Sequence, residues 1–129
     1  CGFPTETEED FLDTLDVVKT VGFDMIFTFV YSPRKGTPAA SMEGQVPHDE
    51  KVRRFNALSE LQNENALKNN QKFIGQTLKV LTNGLNNGTY TGRCSQNKVV
   101  VLDKPVEKGV FVNAEIIDAQ PYLLIGKIK

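Results

Sequence analysis

Met25-Ile26-Phe27-Thr28-Phe29-Val30-Tyr31 is apolar on both of its alternating faces and rich in β-branched and aromatic residues. That pattern predicts a strand buried on both sides, as in parallel sheets covered by helices. Such a strand needs parallel neighbours, and a helix leading into it normally follows an earlier strand in a right-handed crossover. The helix is legible over Glu8–Val21, where Phe11, Leu12, Leu15, Val18 and Val21 recur at the spacing of one buried helical face. Thr5 followed three positions later by Glu8 has the capping-box pattern, the early acids suit the positive end of the helix dipole, and Gly22 supplies a stop. The earlier strand is missing. The chain opens on Cys1-Gly2-Phe3-Pro4 as if at the carboxyl end of that strand, so the expectation is a fragment of a longer α/β protein.

Downstream, Ser32 to Pro47 turns to Pro, Gly, Ser and Ala, a long loop of the kind that is usually functional or disordered. From Asp49 to about Lys72 the period is helical again, with Val52, Phe55, Leu58 and Leu61 on one side and the pairs Glu50/Arg54 and Glu64/Lys68 outside. Beyond Leu61 every face becomes polar, as in a connector between modules. After Phe73 the period changes to that of strands: Gln76–Thr82, Thr89–Ser95, Lys98–Leu102, Val110–Ala119 and Leu123–Ile128. The turn residues between them are Asn83-Gly84, Asn86-Asn87-Gly88, Gln96-Asn97, Lys104-Pro105 with Gly109, and Gln120-Pro121. Five strands in so short a stretch suit a small closed barrel of the OB type. The expected fold class is therefore an α/β fragment followed by an all-β, five-stranded OB-like barrel, divided as residues 1–48, a connecting helix over 49–72, and 73–129.

With 129 residues, 40% apolar and 24% charged, the chain falls in the globular range. No apolar run approaches the roughly 18 residues of a membrane span. The acidic stretch Thr5-Glu6-Thr7-Glu8-Glu9-Asp10 stands where a secretory signal would begin, so a cytoplasmic, membrane-free protein is expected. Cys1 and Cys94 can form at most one bridge and show no CxxC spacing, and His48 has no partner of known proximity, so no metal site is expected. The net charge of −1 hides an asymmetry. Up to Lys72 there are 8 Lys and Arg against 12 Asp and Glu, a net of −4; beyond it 7 against 4, a net of +3, which permits a basic face on the second module.

Three stretches carry a resemblance: Gly2-Phe3-Pro4-Thr5-Glu6-Thr7, then Phe27-Thr28-Phe29-Val30-Tyr31-Ser32-Pro33-Arg34-Lys35-Gly36-Thr37-Pro38-Ala39, then Gly92-Arg93 with Asn97-Lys98-Val99-Val100-Val101. In that order and at that spacing they resemble the C-terminal part of the MiaB-type radical-SAM methylthiotransferases, which modify the isopentenylated adenosine beside the tRNA anticodon. The Tyr-Ser-Pro-Arg-x-Gly-Thr-Pro-Ala run is the specific part; Gly-Phe-Pro-x-Glu-Thr occurs more widely among radical-SAM barrels. The resemblance implies that residues 1 to about 48 end a radical-SAM partial barrel and that about 73 to 129 form a TRAM domain, a small RNA-binding barrel. It also implies two 4Fe-4S clusters and S-adenosylmethionine in the parent protein. Neither cluster's cysteines are in this chain, and a cluster needs several positioned thiolates. The polypeptide alone is expected to be catalytically inert, with no catalytic residue of its own and no cofactor bound.

By that resemblance Gly2, Pro4, Tyr31, Ser32 and Arg34 are candidates for the S-adenosylmethionine side of the barrel rim, where strand ends collect active sites. A capped turn is the competing reading of Gly2 and Pro4, and a stiffened, solvated loop that of Tyr31, Ser32, Arg34 and Lys35. In the barrel, Arg93, Asn97, Lys98, Lys79 and Tyr90, with Lys35 from the loop, are the candidate RNA contacts, since such barrels join basic grooves to aromatic platforms. Where the family often has Thr and Arg, this chain has Cys94 and Ser95, one cation fewer. Glu8, Glu9, Asp10, Asp13 and Asp16 read as the solvated face of the first helix, and Phe11, Phe27, Phe29, Phe55 and Phe73 as core. The expected partner is the tRNA anticodon stem-loop, with self-association possible through the unpartnered strand. Two alternatives share these features: a ribosomal-protein methylthiotransferase of the same superfamily, and a stand-alone RNA-binding module.

Overall fold

A computed structural model describes residues 1–129. The chain divides into two compact units, Cys1–Asn65 and Ala66–Lys129.

In the first unit, α1 spans Glu8–Val21, a single turn α2 spans Pro38–Ser41, and most of α3 (His48–Gln71) follows. The start of α1 is set by Thr7, not Thr5: the Thr7 hydroxyl accepts from the Asp10 N–H at 3.1 Å and the Asp10 carboxylate accepts from the Thr7 N–H at 2.8 Å. Thr5 is instead left-handed (φ 73°), with its N–H on the Gly44 carbonyl at 2.8 Å. Gly22 closes α1 at φ 65°, its N–H on the Val18 carbonyl. Phe11, Val18 and Leu58 form the small core, with Leu15, Ile26, Ala57, Leu61 and Cys1 packed on it. Leu12 and Val21, expected on the same face, are exposed.

The strand expected at Met25–Tyr31 does not form. The backbone of the segment meets Cys1, whose nitrogen donates to the Phe29 carbonyl (2.7 Å) and whose carbonyl accepts from the Tyr31 N–H (2.8 Å), and the Lys51 ammonium, which donates to the Tyr31 carbonyl (3.3 Å). That reciprocal pair has the form of one rung of a parallel ladder. One face, Ile26, Thr28 and Val30, is half-buried; the other is bare, with Met25 at 54%, Phe27 at 82% and Phe29 at 73% exposure. A strand buried on both sides needs a layer over each face, and here only one face has it. Phe27 and Phe29 are therefore not core.

The inward face of α3 is also unlike its apolar pattern. Its most buried residues are Lys51, Arg54, Leu58, Gln62, Ala66 and Asn70, while Val52, Phe55 and Leu61 are only half-buried. Arg54 lies inside, ion-paired to Glu6 (2.7 Å) and Glu50 (3.0 Å), so the Glu50/Arg54 pair is not on the outside of the helix. Gln62 donates to the Phe23 carbonyl and Asn65 to the Val18 carbonyl, which ties these amides to the end of α1 and the segment after it.

The second unit is a closed barrel of β1 (Thr77–Asn86), β2 (Thr89–Cys94), β3 (Val99–Leu102), β4 (Phe111–Gln120) and β5 (Leu123–Ile128), in the order β1-β2-β3-β5-β4, with β3 and β5 parallel and the other neighbours antiparallel. Four strands begin and end within a residue of the alternation pattern. The exception is β1, which runs through Asn83-Gly84 as a bulge and turns only at Asn87 (φ 48°) and Gly88 (φ 78°), the two positive angles a tight hairpin demands. Val80, Val100, Ala114, Ile116 and Leu124 fill the interior with no exposure. Burying a side chain the size of Ile116 or Leu124 contributes roughly 1.5–3 kcal/mol. Asn70, in the last turn of α3, donates to the carbonyls of Gln120 (2.7 Å) and Pro121 (3.1 Å), fixing the β4–β5 turn.

Candidate nucleic-acid interface

Because strand residues alternate between inside and outside, the register of the barrel decides which side chains share its outer surface. Phe111 on β4 faces Leu81 on β1, Leu81 faces Arg93 on β2, and Arg93 faces Val99 on β3. These four stand in one cross-strand row, with Phe111 63% and Leu81 42% exposed. At strand spacings of about 4.8 Å, Phe111 and Arg93 are roughly 10 Å apart. Lys79, two residues before Leu81 and so on the same face, has its ammonium 4.6 Å from the Phe111 ring centroid, and its own cross-strand partner is Asn113.

Arg93 is held in place by the β2–β3 turn. Asn97 is left-handed (φ 60°), its N–H bonds the Cys94 carbonyl, and Arg93 Nη1 donates to the Asn97 carbonyl at 2.9 Å and to Asn97 Oδ1 at 3.1 Å. Asn tolerates the left-handed region better than other residues with a Cβ, which accounts for its place in the Gly-Arg-x-x-x-Asn pattern. Gly92 accounts for the other end. A Cβ there would lie 2.4 Å from Val80 Cγ1 and 2.6 Å from the Leu81 carbonyl oxygen, so β1 and β2 approach closely only because the side chain is absent.

No carboxylate faces this row across the strands. Three of the four acids of the barrel are engaged elsewhere: Glu115 pairs with Lys129 at 3.0 Å, Asp103 accepts from the Ile128 N–H, and Asp118 accepts from the Ala119 N–H. The Phe111–Val99 row thus carries a cation and no acid, while Glu115, on the same outer face opposite Thr77, is neutralised by Lys129.

The structure gathers Arg93, Asn97 and Lys79 on or beside one face. Lys98 is half-buried, its ammonium 5.6 Å from the Phe73 ring centroid. Tyr90 alternates in phase with the buried Gly92 and Cys94 and packs against the barrel core, so it does not join Arg93. Phe111 was not among the candidates read from the sequence. Its signal was present in the alternation of β4, where Phe111 and Asn113 fall out of phase with the inward Val112, Ala114 and Ile116.

In the first unit, Tyr31, Ser32 and Arg34 line an open groove of about 420 Å³ with Phe29, Val30, Thr37 and Ala39. Lys35 is exposed on the adjoining turn beside Gly36 and Pro38. The Tyr31 ring meets Phe3 edge-on at 5.3 Å and the Lys51 ammonium at 4.9 Å, and its buried hydroxyl has no hydrogen-bond partner. Gly2 and Pro4 are buried outside that groove. The Gly2 N–H is taken by both oxygens of Glu6 at 3.0 Å, and a Cβ on Gly2 would lie 2.3 Å from Lys51 Cγ, so this glycine serves a tight packed turn.

A groove of this size, with an apolar wall, one guanidinium, a serine hydroxyl and a tyrosine ring, fits an amphipathic ligand that pairs a ring with a charged tail, as S-adenosylmethionine does. Iron–sulfur clusters do not fit the residues present: no three His, Cys, Asp or Glu side chains converge, Cys94 is buried in the barrel core, and Cys1 is in the other unit. No helix is long and apolar enough to cross a membrane.

Residues 71–129 match the TRAM domain family. Across 98% of its length the chain is similar to proteins named tRNA-2-methylthio-N(6)-dimethylallyladenosine synthase. It is 47% identical to that of Caldicellulosiruptor saccharolyticus, 45% to that of Acetivibrio thermocellus and 44% to that of Clostridium novyi, covering 28%, 27% and 29% of those proteins respectively. The chain thus spans under a third of the length of these curated relatives. Residues 71–129 are thus a TRAM barrel, and over nearly all of its own length the chain is similar to one segment of proteins named tRNA-2-methylthio-N(6)-dimethylallyladenosine synthase.

Proposed function

We propose that the barrel is the RNA-gripping module of a tRNA-modifying radical-SAM methylthiotransferase, an enzyme that converts N6-isopentenyladenosine beside the anticodon to its 2-methylthio derivative. The observation that carries this is the outer row of the barrel, with no acid in it, on which Arg93 is clamped by Asn97 beside Lys79. A guanidinium fixed through one nitrogen keeps its remaining N–H groups for phosphate oxygens, and a fixed donor loses less side-chain entropy on binding. Holding the anticodon stem-loop in one pose is how such a module serves chemistry performed elsewhere in the enzyme.

In the same proposal the first unit contributes to the rim of the radical-SAM barrel, supported by the parallel-type rung between Cys1 and the Phe29–Tyr31 segment. Tyr31, Ser32 and Arg34 would hold S-adenosylmethionine, which supplies the radical when bound in the complete enzyme. Arg34 would take its carboxylate, and the Tyr31 ring would pack against an apolar part of it. The cysteines that hold the two 4Fe-4S clusters would come from other parts of the enzyme.

Titration of a labelled anticodon stem-loop with this chain between about 50 and 200 mM salt tests the RNA role. Affinity should fall with salt, and Arg93→Ala should weaken binding and lower the log–log slope by about 1. Equal affinity and slope for wild type and Arg93→Ala would remove the barrel face from the interface.

A further inference from the structure

The most prominent feature of the barrel face that phosphate contact leaves unused is Phe111. A single exposed apolar residue means little by itself. Phe111, however, is 63% exposed and shares a row with Leu81, 42% exposed, and Arg93; the Lys79 ammonium stands 4.6 Å from its ring centroid. An apolar contact surface for a protein would not need a cation on the ring, a second one farther along the same row and no acid opposite. A surface that sets cations along one side of an exposed aromatic ring matches a single strand, which can lay a base on the ring while its backbone follows the cations.

We propose that Phe111 is a stacking platform for one unpaired RNA base, with Lys79 and Arg93, both on the β1–β2 side of the ring, taking phosphates along that side, so that the barrel prefers single-stranded to duplex RNA. The platform presupposes the RNA-gripping role proposed above and adds to it a base contact and a strandedness preference. The magnitudes permit the exchange it requires. An exposed cation–π contact is worth about two- to fivefold in an equilibrium. Base–aromatic stacking is worth about five- to 150-fold. A base arriving at the ring therefore displaces the Lys79 ammonium, which is left to meet a phosphate. Duplex bases are already stacked on their neighbours and offer the ring no face. Leu81, next in the row, extends the apolar floor towards Arg93.

The chain contains no tryptophan, so Phe111→Trp introduces a single indole at the platform. Its emission should be quenched by a ten-nucleotide single-stranded RNA and should change little with the same sequence as a duplex. In parallel, Phe111→Ala should lose about five- to 150-fold in affinity for the single strand and less than twofold for the duplex. Phe111→Tyr should bind as wild type does. Phe111→Val, which keeps a strand-favouring side chain without a ring, should behave as the alanine variant does and separates loss of the ring from loss of the fold. If Phe111→Ala and Phe111→Val bind the single strand within twofold of wild type while Arg93→Ala still weakens it, the platform is wrong and the RNA-gripping role stands. If wild type binds neither single strand nor stem-loop, both fail.

Discussion

A single nitrogen of Arg93, Nη1, serves both oxygens of Asn97, the backbone carbonyl at 2.9 Å and the side-chain oxygen at 3.1 Å. Asn97 is also the left-handed residue of the β2–β3 turn, so one residue shapes the hairpin and aims the cation. Substitutions at this position separate the two tasks. Asn97→Gly keeps the left-handed turn and the backbone-carbonyl bond but loses the side-chain bond that completes the clamp, so stability should hold within about 0.5 kcal/mol while RNA affinity falls modestly. Asn97→Ala loses the same side-chain bond and strains the turn as well, and should cost about 1–2 kcal/mol in denaturant unfolding. Equal unfolding midpoints for the glycine and alanine variants would contradict the strain argument.

Gly92→Ala tests the neighbouring position. The added methyl would meet Val80 Cγ1 at 2.4 Å and the Leu81 carbonyl oxygen at 2.6 Å, and the second of these is backbone that cannot rotate away. Overpacking of this sort typically costs about 1–3 kcal/mol. Chemical denaturation of the barrel should show the loss, and an unchanged midpoint would mean that the two strands separate freely.

Gly92 and Asn97 also show how far the sequence alone reaches. The period-two alternation after Phe73, punctuated by Asn and Gly, locates all five strands because inside and outside differ in polarity at every second residue. It misplaces the end of β1 because a bulge and a turn share the same Asn-Gly vocabulary. Composition misleads more at α3, whose buried stripe of Lys51, Arg54, Gln62 and Asn70 is polar, since these side chains go inside to meet carboxylates and backbone carbonyls that no periodicity displays. Met25–Tyr31 fails for the opposite reason: apolar composition shows what a face could bury, but the layer that would bury it must come from elsewhere. Of the barrel-face candidates, the cations were legible by type and spacing, whereas Phe111 was hidden among apolar strand residues until the register showed which way it faces.

The bare side of that extended segment should make the chain self-associate. Met25, Phe27 and Phe29 alternate onto one surface at 54%, 82% and 73% exposure, a contiguous apolar strip beside a backbone edge. Sedimentation velocity over a concentration series should show reversible association that Phe27→Ser with Phe29→Ser reduces. A concentration-independent monomer in wild type would show that the strip is tolerated in water.

Acid should loosen the first unit before it affects the sequence-distant parts of the molecule that lack its ion pairs. Arg53, through its hydrogen bond and then its charge, with Arg54 beside it, holds the Glu50 carboxyl down to about 2 from 4.5. The Thr7 N–H and hydroxyl lower that of Asp10 at the start of α1. Burial opposes the charge on Arg54, but hydrogen bonds to Glu6 and Glu50 outweigh it and raise its pKa, so the guanidinium stays charged throughout. A carboxylate whose pKa is depressed in the folded state contributes stability that is fully present above its unfolded value and is lost as pH falls towards its folded one. The window for Glu50 is therefore from about 4.5 down to about 2. Amide exchange in α1 and the first turns of α3, followed from pH 6 downwards, should lose protection across that interval, and Glu50→Gln should flatten the slope while lowering protection at pH 6. Arg54→Met should act more severely at every pH, on the order of 3 kcal/mol, because it leaves Glu6 partly buried without its partner. A protection profile with the same pH slope in Glu50→Gln as in wild type would mean that the Arg53–Glu50–Arg54 contacts do not hold these helices together.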